Sequence, residues 1–378
     1  MNRRELLAHA GTGALGGVLA SSGALADSLA SSSAHERVRG SASERDRRDT
    51  VRNRNTARNR DTYRNPVSDR IFPDPDVLRV DGTYYAYATY HPWTPGEGPE
   101  RELIPVLQSP NLVSWEFVGP AFEEDPAWSR YRGLWAPGVG RLGGRTLLYY
   151  SDAAFRADDP GIGVATASDP GGPFKPRGGL LRSEDIGVPN SIDPMLFERS
   201  ERPSLFWGSK RGIYGVRLTE DGLSTAAGAS ETFRIAGDGV EAPYVVERGD
   251  YFYVFGSRGT CCRGGDSTYH VVVGRAGNLR GPYRNRAGER LTAEGATGTT
   301  ILEGNDRFLG PGHCSVVRDE NDGWWLLYHA YVAGNAWVGD TPIRVLMLDK
   351  IRWEDGWPAV GEDGTPSAEG PVPPVAPD

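Results

Sequence analysis

Three acidic residues, Asp74, Asp193 and Glu241, each stand just ahead of a short apolar run that leads through a polar turn into an aromatic run. Trp135 and His313 hold the corresponding place in two further copies of this pattern. Two carboxylates on either side of a scissile bond are the equipment of glycoside hydrolysis. One is protonated and delivers its proton to the leaving oxygen; the other is ionised and takes a proton from water or attacks directly. A third carboxylate near the acid would raise its proton affinity through like-charge repulsion. Asp before Pro, as in Asp74-Pro75 and Asp193-Pro194, is also ordinary turn chemistry. The same register in several repeats argues instead for a shared task.

The elements that must position these residues are hairpins. The aromatic strands are expected at Thr83–Thr89, Thr146–Ser151, Ser204–Gly208, Tyr251–Phe255 and Trp324–His329. The apolar runs before them are Val77–Val80, Val139–Leu142, Met195–Phe197, Tyr244–Val246 and Ser315–Val317. Short β-branched and aromatic runs bounded by Gly, Asp and Asn read as strands. Fifty Gly and 28 Pro in 378 residues leave little room for long helices. Five copies of one hairpin, spaced within reach of propeller repeat lengths, predict an all-β, five-bladed β-propeller. Innermost strands line the axis of such a fold, so the residues that start them converge at one end of the channel.

Six motifs in order resemble glycoside hydrolase family 43: Phe72-Pro-Asp-Pro-Asp-Val77, Trp135-Ala-Pro137, Ile192-Asp-Pro194, Glu241-Ala-Pro-Tyr244, Cys261-Cys-Arg-Gly264 with Ser267-Thr-Tyr269, and Gly310-Pro-Gly-His313. The resemblance runs from about Asn65 to Trp357 and is nearest to the endo-1,5-α-L-arabinanase-like members. It implies an inverting hydrolase with Asp74 as general base, Glu241 as general acid and Asp193 tuning and orienting that acid. It also implies Trp135 and Phe155 as sugar-stacking aromatics, and His313 as the partner of an axial calcium or sodium ion held largely through water. No organic cofactor is implied, and the expected molecule is a monomer acting on a polysaccharide or oligosaccharide. The chain departs from the arabinanase pattern in three places. Pro73 precedes the base where endo-arabinanases have His, Gly138 stands where Trp-Ala-Pro is followed by an acid, and Cys314 follows the axial His in place of Asn. An exo-acting α-L-arabinofuranosidase or β-xylosidase is the alternative within the family, and a non-catalytic sugar-binding propeller the alternative outside it.

The rest of the chain bounds these readings. Residues 1–65 hold 12 Arg against 7 Asp and Glu, while the remainder is strongly acidic, within a net charge of −8. An acidic body is a poor match for nucleic acid. Residues 1–26 read as a twin-arginine-type export signal, with Arg3-Arg4 before a mild Gly/Ala-rich run and Ala24-Leu-Ala26 as cleavage site. That run is too short and glycine-rich for a membrane span. The expected location is extracellular, cell-surface or periplasmic. Residues 27–64 read as an Arg/Ser-rich linker, 65–360 as the propeller and 361–378 as a Pro/Gly-rich tail. Three cysteines make no disulfide framework. Adjacent Cys261 and Cys262 are expected to be structural, since no Cys–His arrangement supports a nucleophile.

Overall fold

The computed structural model describes residues 61–89, 91–92, 101–198, 202–227 and 231–375. The export signal at 1–26, and the linker as far as residue 60, lie outside them. Five antiparallel sheets form the blades of a propeller. Blade 1 runs from Asp76–Val80 through Thr83–Tyr87 and Pro105–Ser109 to Glu116–Pro120. Blades 2, 3 and 4 begin on Leu134–Leu142, Met195–Phe197 and Glu241–Arg248 and repeat that order of four strands. Blade 5 is built from Phe308–Arg318, Trp324–Val332 and Val345–Glu354. The strand beyond these comes from the other end of the body: Ser68–Ile71 pairs with it at Ser68↔Leu346 and Ile71↔Val345. The ring is thereby closed by backbone hydrogen bonds between the two ends of the propeller.

Each second strand is covered on both faces by neighbouring blades. That is why Leu147, Leu148, Tyr149 and Tyr150 are all buried, and why these strands read as continuous apolar runs instead of alternating ones. The core is made between blades. Phe197 and Phe206 of blade 3 pack with Val245, Val254 and Val272 of blade 4. Tyr87 and Val106 of blade 1 pack with Leu148, Tyr150 and Ala165 of blade 2.

Two expected boundaries move. Thr62–Arg64 is a strand paired with Glu369–Pro371, so the end of the linker and much of the tail belong to the folded body. The anchors are Tyr63 and Asn65. Tyr63 donates its hydroxyl to the Leu348 carbonyl at 2.7 Å. The Asn65 amide donates to the carbonyls of Leu348 and Ser367, and its oxygen accepts the Leu348 N–H. Polar composition suggested solvated chain; these two side chains instead satisfy backbone groups inside the body.

Gly138, the departure in blade 2, has a packing cause. A Cβ there would drive into the backbone carbonyl of Pro194, where the inner strand of blade 2 meets blade 3. Gly138→Ala should therefore cost about 1–3 kcal/mol of stability, the usual range for overpacking. Gly138→Asp should lose at least as much. Urea unfolding monitored by tryptophan fluorescence checks both, and a wild-type midpoint in Gly138→Ala would remove this account.

Candidate active site

Each blade has one residue in the left-handed region, in its inner strand or just ahead of it: Asp74 (φ 56°), Ala136 (42°), Asp193 (61°), Ala242 (54°) and His313 (47°). This corrects the expected register in two blades, because Trp135 and Glu241 sit one residue ahead of that position. The inner strands of blades 2, 4 and 5 carry register shifts around the same place, between Trp135 and Gly138, Glu241 and Tyr244, and Leu309 and Ser315. A bulge re-aims side chains at the end of a strand.

A non-glycine residue with positive φ is costly, and something must hold it. Here the preceding blade accepts its N–H. Ala136 donates to Thr89 Oγ1 at 2.8 Å, Asp193 to Ser151 Oγ at 3.0 Å and His313 to Ser257 Oγ at 2.8 Å. Asp74 donates to His329 Nδ1 at 3.1 Å, closing the circle from blade 5 to blade 1. In blade 4, Ala242 donates to the Gly208 carbonyl at 3.2 Å, which leaves Ser209 free to donate to Glu241 Oε2 at 2.7 Å. These acceptors went unread in the sequence although they left a signal. Thr89, Ser151, Ser209, Ser257 and His329 hold one place at the end of the five aromatic strands.

Asp74, Asp193, Glu241 and His313 come together in one cleft of about 550 Å³. Trp135 and Phe155 line it too, with ring centroids 5.1 Å apart; Phe155 is 81% exposed and belongs to no core. A second cavity, of about 530 Å³, lies farther along the inner strands, around Leu78, Phe197 and Tyr244, and contains none of the three carboxylates.

The carboxylates are held in opposite electrostatic states. Burial alone would push Asp74 up, but the Arg344 guanidinium outweighs it and holds Asp74 well below the usual carboxylate range. Arg344 Nη1 lies 2.7 Å from Oδ1, and Thr89 donates to Oδ2 at 2.6 Å. Arg344 carried no sequence signal, being one arginine after an irregular loop. Asp193 is pushed the other way, well above the usual range, by burial and by the charges of Glu241 and Asp74. Asp193, beside Glu241, is thus biased toward its protonated form. Environments that separate two carboxyls in this way mark the base and the acid side of a reaction.

Glu241 has further partners that sequence reasoning missed. Lys210 Nζ lies 3.0 Å from Oε1, and the Tyr269 hydroxyl is hydrogen-bonded with Glu241 and Ser257. Tyr269 stacks on His329, with centroids 5.7 Å apart. Gly312 makes room for it, since a Cβ there would enter the Tyr269 ring. Cys261 and Cys262 are joined by a disulfide at the cleft wall. Cys314 is a buried thiol, pushed up to about 12 by burial.

Among the described residues no three His, Cys, Asp or Glu side chains form a metal-ligating group. His313 Nδ1 lies 3.3 Å from Asp74 Oδ1, which leaves one ring nitrogen for a cation. Calcium and sodium prefer oxygen ligands, so an ion there would draw its remaining ligands from water.

His329 is fully buried, and burial pushes it down to about 4. Its Nδ1 accepts the Asp74 N–H, so the hydrogen of the neutral ring is on Nε2. Between pH 4 and 6.5 the unfolded chain binds a proton there that the folded chain refuses. Stability should fall as pH falls through that window, by up to about 3 kcal/mol. His329→Gln, which keeps an acceptor, should show a smaller loss of Tm from pH 7 to pH 4.5. Parallel Tm curves for the two proteins would contradict a neutral His329.

The family model for glycosyl hydrolases family 43 matches residues 63–358. An extracellular exo-α-(1→5)-L-arabinofuranosidase of Cellvibrio japonicus is 32% identical over 326 residues, covering 76% of this chain and 86% of that protein. An extracellular endo-α-(1→5)-L-arabinanase of Bacillus subtilis is 31% identical over 305 residues, covering 77% and 88%. The solved α-L-arabinanase of Cellvibrio cellulosa in complex with arabinohexaose superposes with a TM-score of 0.67 at 29% identity, covering 76% of this chain and 95% of that one. Motifs, propeller and cleft agree with these matches, and the chain belongs to glycosyl hydrolases family 43.

Proposed function

We propose that this glycoside hydrolase cleaves arabinofuranosyl linkages in arabinan with inversion at the anomeric carbon. The observation that carries the reading is the electrostatic separation within one cleft: Arg344 pairs with Asp74 and favours its ionised form, while burial and its acidic neighbours bias Asp193, next to Glu241, toward the protonated form. Asp74 then takes a proton from the attacking water. Glu241 delivers its own to the glycosidic oxygen, and Asp193 tunes and orients it. Trp135 and Phe155 offer flat apolar faces to the sugar rings. An axial calcium or sodium ion, reached through His313 and water, would add positive charge near Asp74. The relatives' extracellular character supports export; the proposed route is the twin-arginine-type signal, and the proposed working form a monomer acting on polysaccharide. Among the described residues no helix is long and apolar enough to cross a membrane.

Exo action is the second reading. It is favoured by Pro73 ahead of the base and by the exo-acting relative, which is as similar to this chain as the endo-acting one.

Asp74→Asn and Glu241→Gln should each lower turnover about 10²–10⁴-fold, because base and acid both act in the transition state. Asp193→Asn should shift the pH–rate profile as well as lower it; an unshifted profile would end its tuning role. Wild-type activity in Asp74→Asn or Glu241→Gln would leave a sugar-binding propeller instead. Linear arabinan digested with and without chelator reads the rest. Mixed oligosaccharides are expected for endo cleavage, and arabinose alone would assign exo cleavage. No product would refute the substrate class, and indifference to chelator would remove the ion.

A further inference from the structure

Lys210 is one of three lysines in the chain and lies at the end of the second strand region of blade 3. Its backbone is tied to the segment that leads into Glu241. The Lys210 N–H donates to the Val240 carbonyl at 3.1 Å, and the Gly239 N–H donates to the Lys210 carbonyl at 2.9 Å. The backbone adopts a left-handed φ of 61° there, a conformation that favours glycine. The side chain turns into the cleft wall. Its Nζ sits 3.0 Å from Glu241 Oε1, donates to the Gly259 carbonyl at 2.6 Å, and lies 5.5 Å from the centre of the Tyr269 ring. With Ser209 on Oε2, both oxygens of Glu241 are occupied from blade 3.

Resting on Glu241 as proton donor, we propose that Lys210 is a positioning residue whose ammonium stabilises the carboxylate that forms on Glu241 as the glycosidic bond breaks. In that step the Glu241 O–H bond breaks and its proton goes to the glycosidic oxygen. The C–O bond breaks with its electron pair on that oxygen, and water adds to the anomeric carbon from the opposite face. Asp74 takes the proton of the water. Negative charge therefore appears on Glu241 in a buried site beside Asp193. Among the described residues Lys210 is the cation at ion-pair distance from Glu241. The Gly259 carbonyl and the aromatic face of Tyr269 keep the ammonium in place while Glu241 is protonated, so no reorganisation is needed when the charge appears. The Lys210 side chain is 39% exposed, and this partial solvation moderates the effect without abolishing it.

The readout is dependence on the leaving group. A linear arabino-oligosaccharide needs its leaving oxygen protonated, whereas a dinitrophenyl arabinofuranoside has a leaving group that departs without help. Lys210→Met should lower kcat on the oligosaccharide about 10- to 100-fold. On the dinitrophenyl substrate the fall should be much smaller, about threefold. Lys210→Arg should restore most of the lost rate, since it keeps the positive charge. A Lys210→Met enzyme slowed equally on both substrates, or on neither, would overturn the inference. Glu241→Gln, assayed on the same pair, separates this outcome from a failure of the acid assignment. If Glu241→Gln discriminates between the substrates and Lys210→Met does not, Lys210 has no such role. If Glu241→Gln slows both substrates equally, the proton donor itself is misassigned and the inference falls with it.

Discussion

The site depends on one repeated hydrogen bond: the N–H of a left-handed residue at the start of an inner strand, accepted by the end of the second strand of the preceding blade. Positive φ turns the residue away from the regular pleat, and the bond holds it there against its conformational cost. Because each clasp spans two blades, it also sets their relative position. At Asp74 the acceptor is His329, so the bond that orients this carboxylate is the one that joins blade 5 to blade 1. In blade 4 a backbone carbonyl serves instead, and the hydroxyl of Ser209 passes to Glu241. Architecture and chemistry share the same atoms.

That arrangement explains how carboxylates of like charge coexist at one end of a channel. Burial alone would push both aspartates toward the protonated form. Arg344 reverses this for Asp74, whereas at Asp193 burial and the acidic neighbours outweigh the opposing pull of Lys210. The difference comes from neighbours contributed by other blades, since both aspartates sit in the same backbone conformation and precede proline. Deeper along the channel Asp76 is pushed to about 7 by burial, with its oxygens accepting the N–H groups of Val77 and Val139. It ties blade 1 to blade 2 and lines neither cavity.

Much of this was legible in the sequence. Blade number, hairpin order and the identity of the three acids followed from a repeat whose apolar and aromatic runs recur with their turns, because strands covered on both faces must be apolar throughout. The register was one residue early at Trp135 and Glu241. Proline marks the position after the left-handed residue in four blades, at Pro75, Pro137, Pro194 and Pro243, and would have corrected it. The ends of the body lie beyond what composition reveals because Tyr63 and Asn65 act singly, in a stretch that otherwise looks solvated.

The sequence by itself determined the strands, their grouping into repeats and the acids placed at the repeat starts. These are local properties, set by side-chain period, turn residues and the order of motifs along the chain. Only the tertiary structure decided which carboxyl is drawn toward ionisation, which toward protonation, and which cation faces Glu241. Arg344 is 270 residues from Asp74 in sequence and 2.7 Å from it in space. Electrostatic energy falls with distance through space and rises with burial, and neither quantity is written in the spacing of residues along a chain.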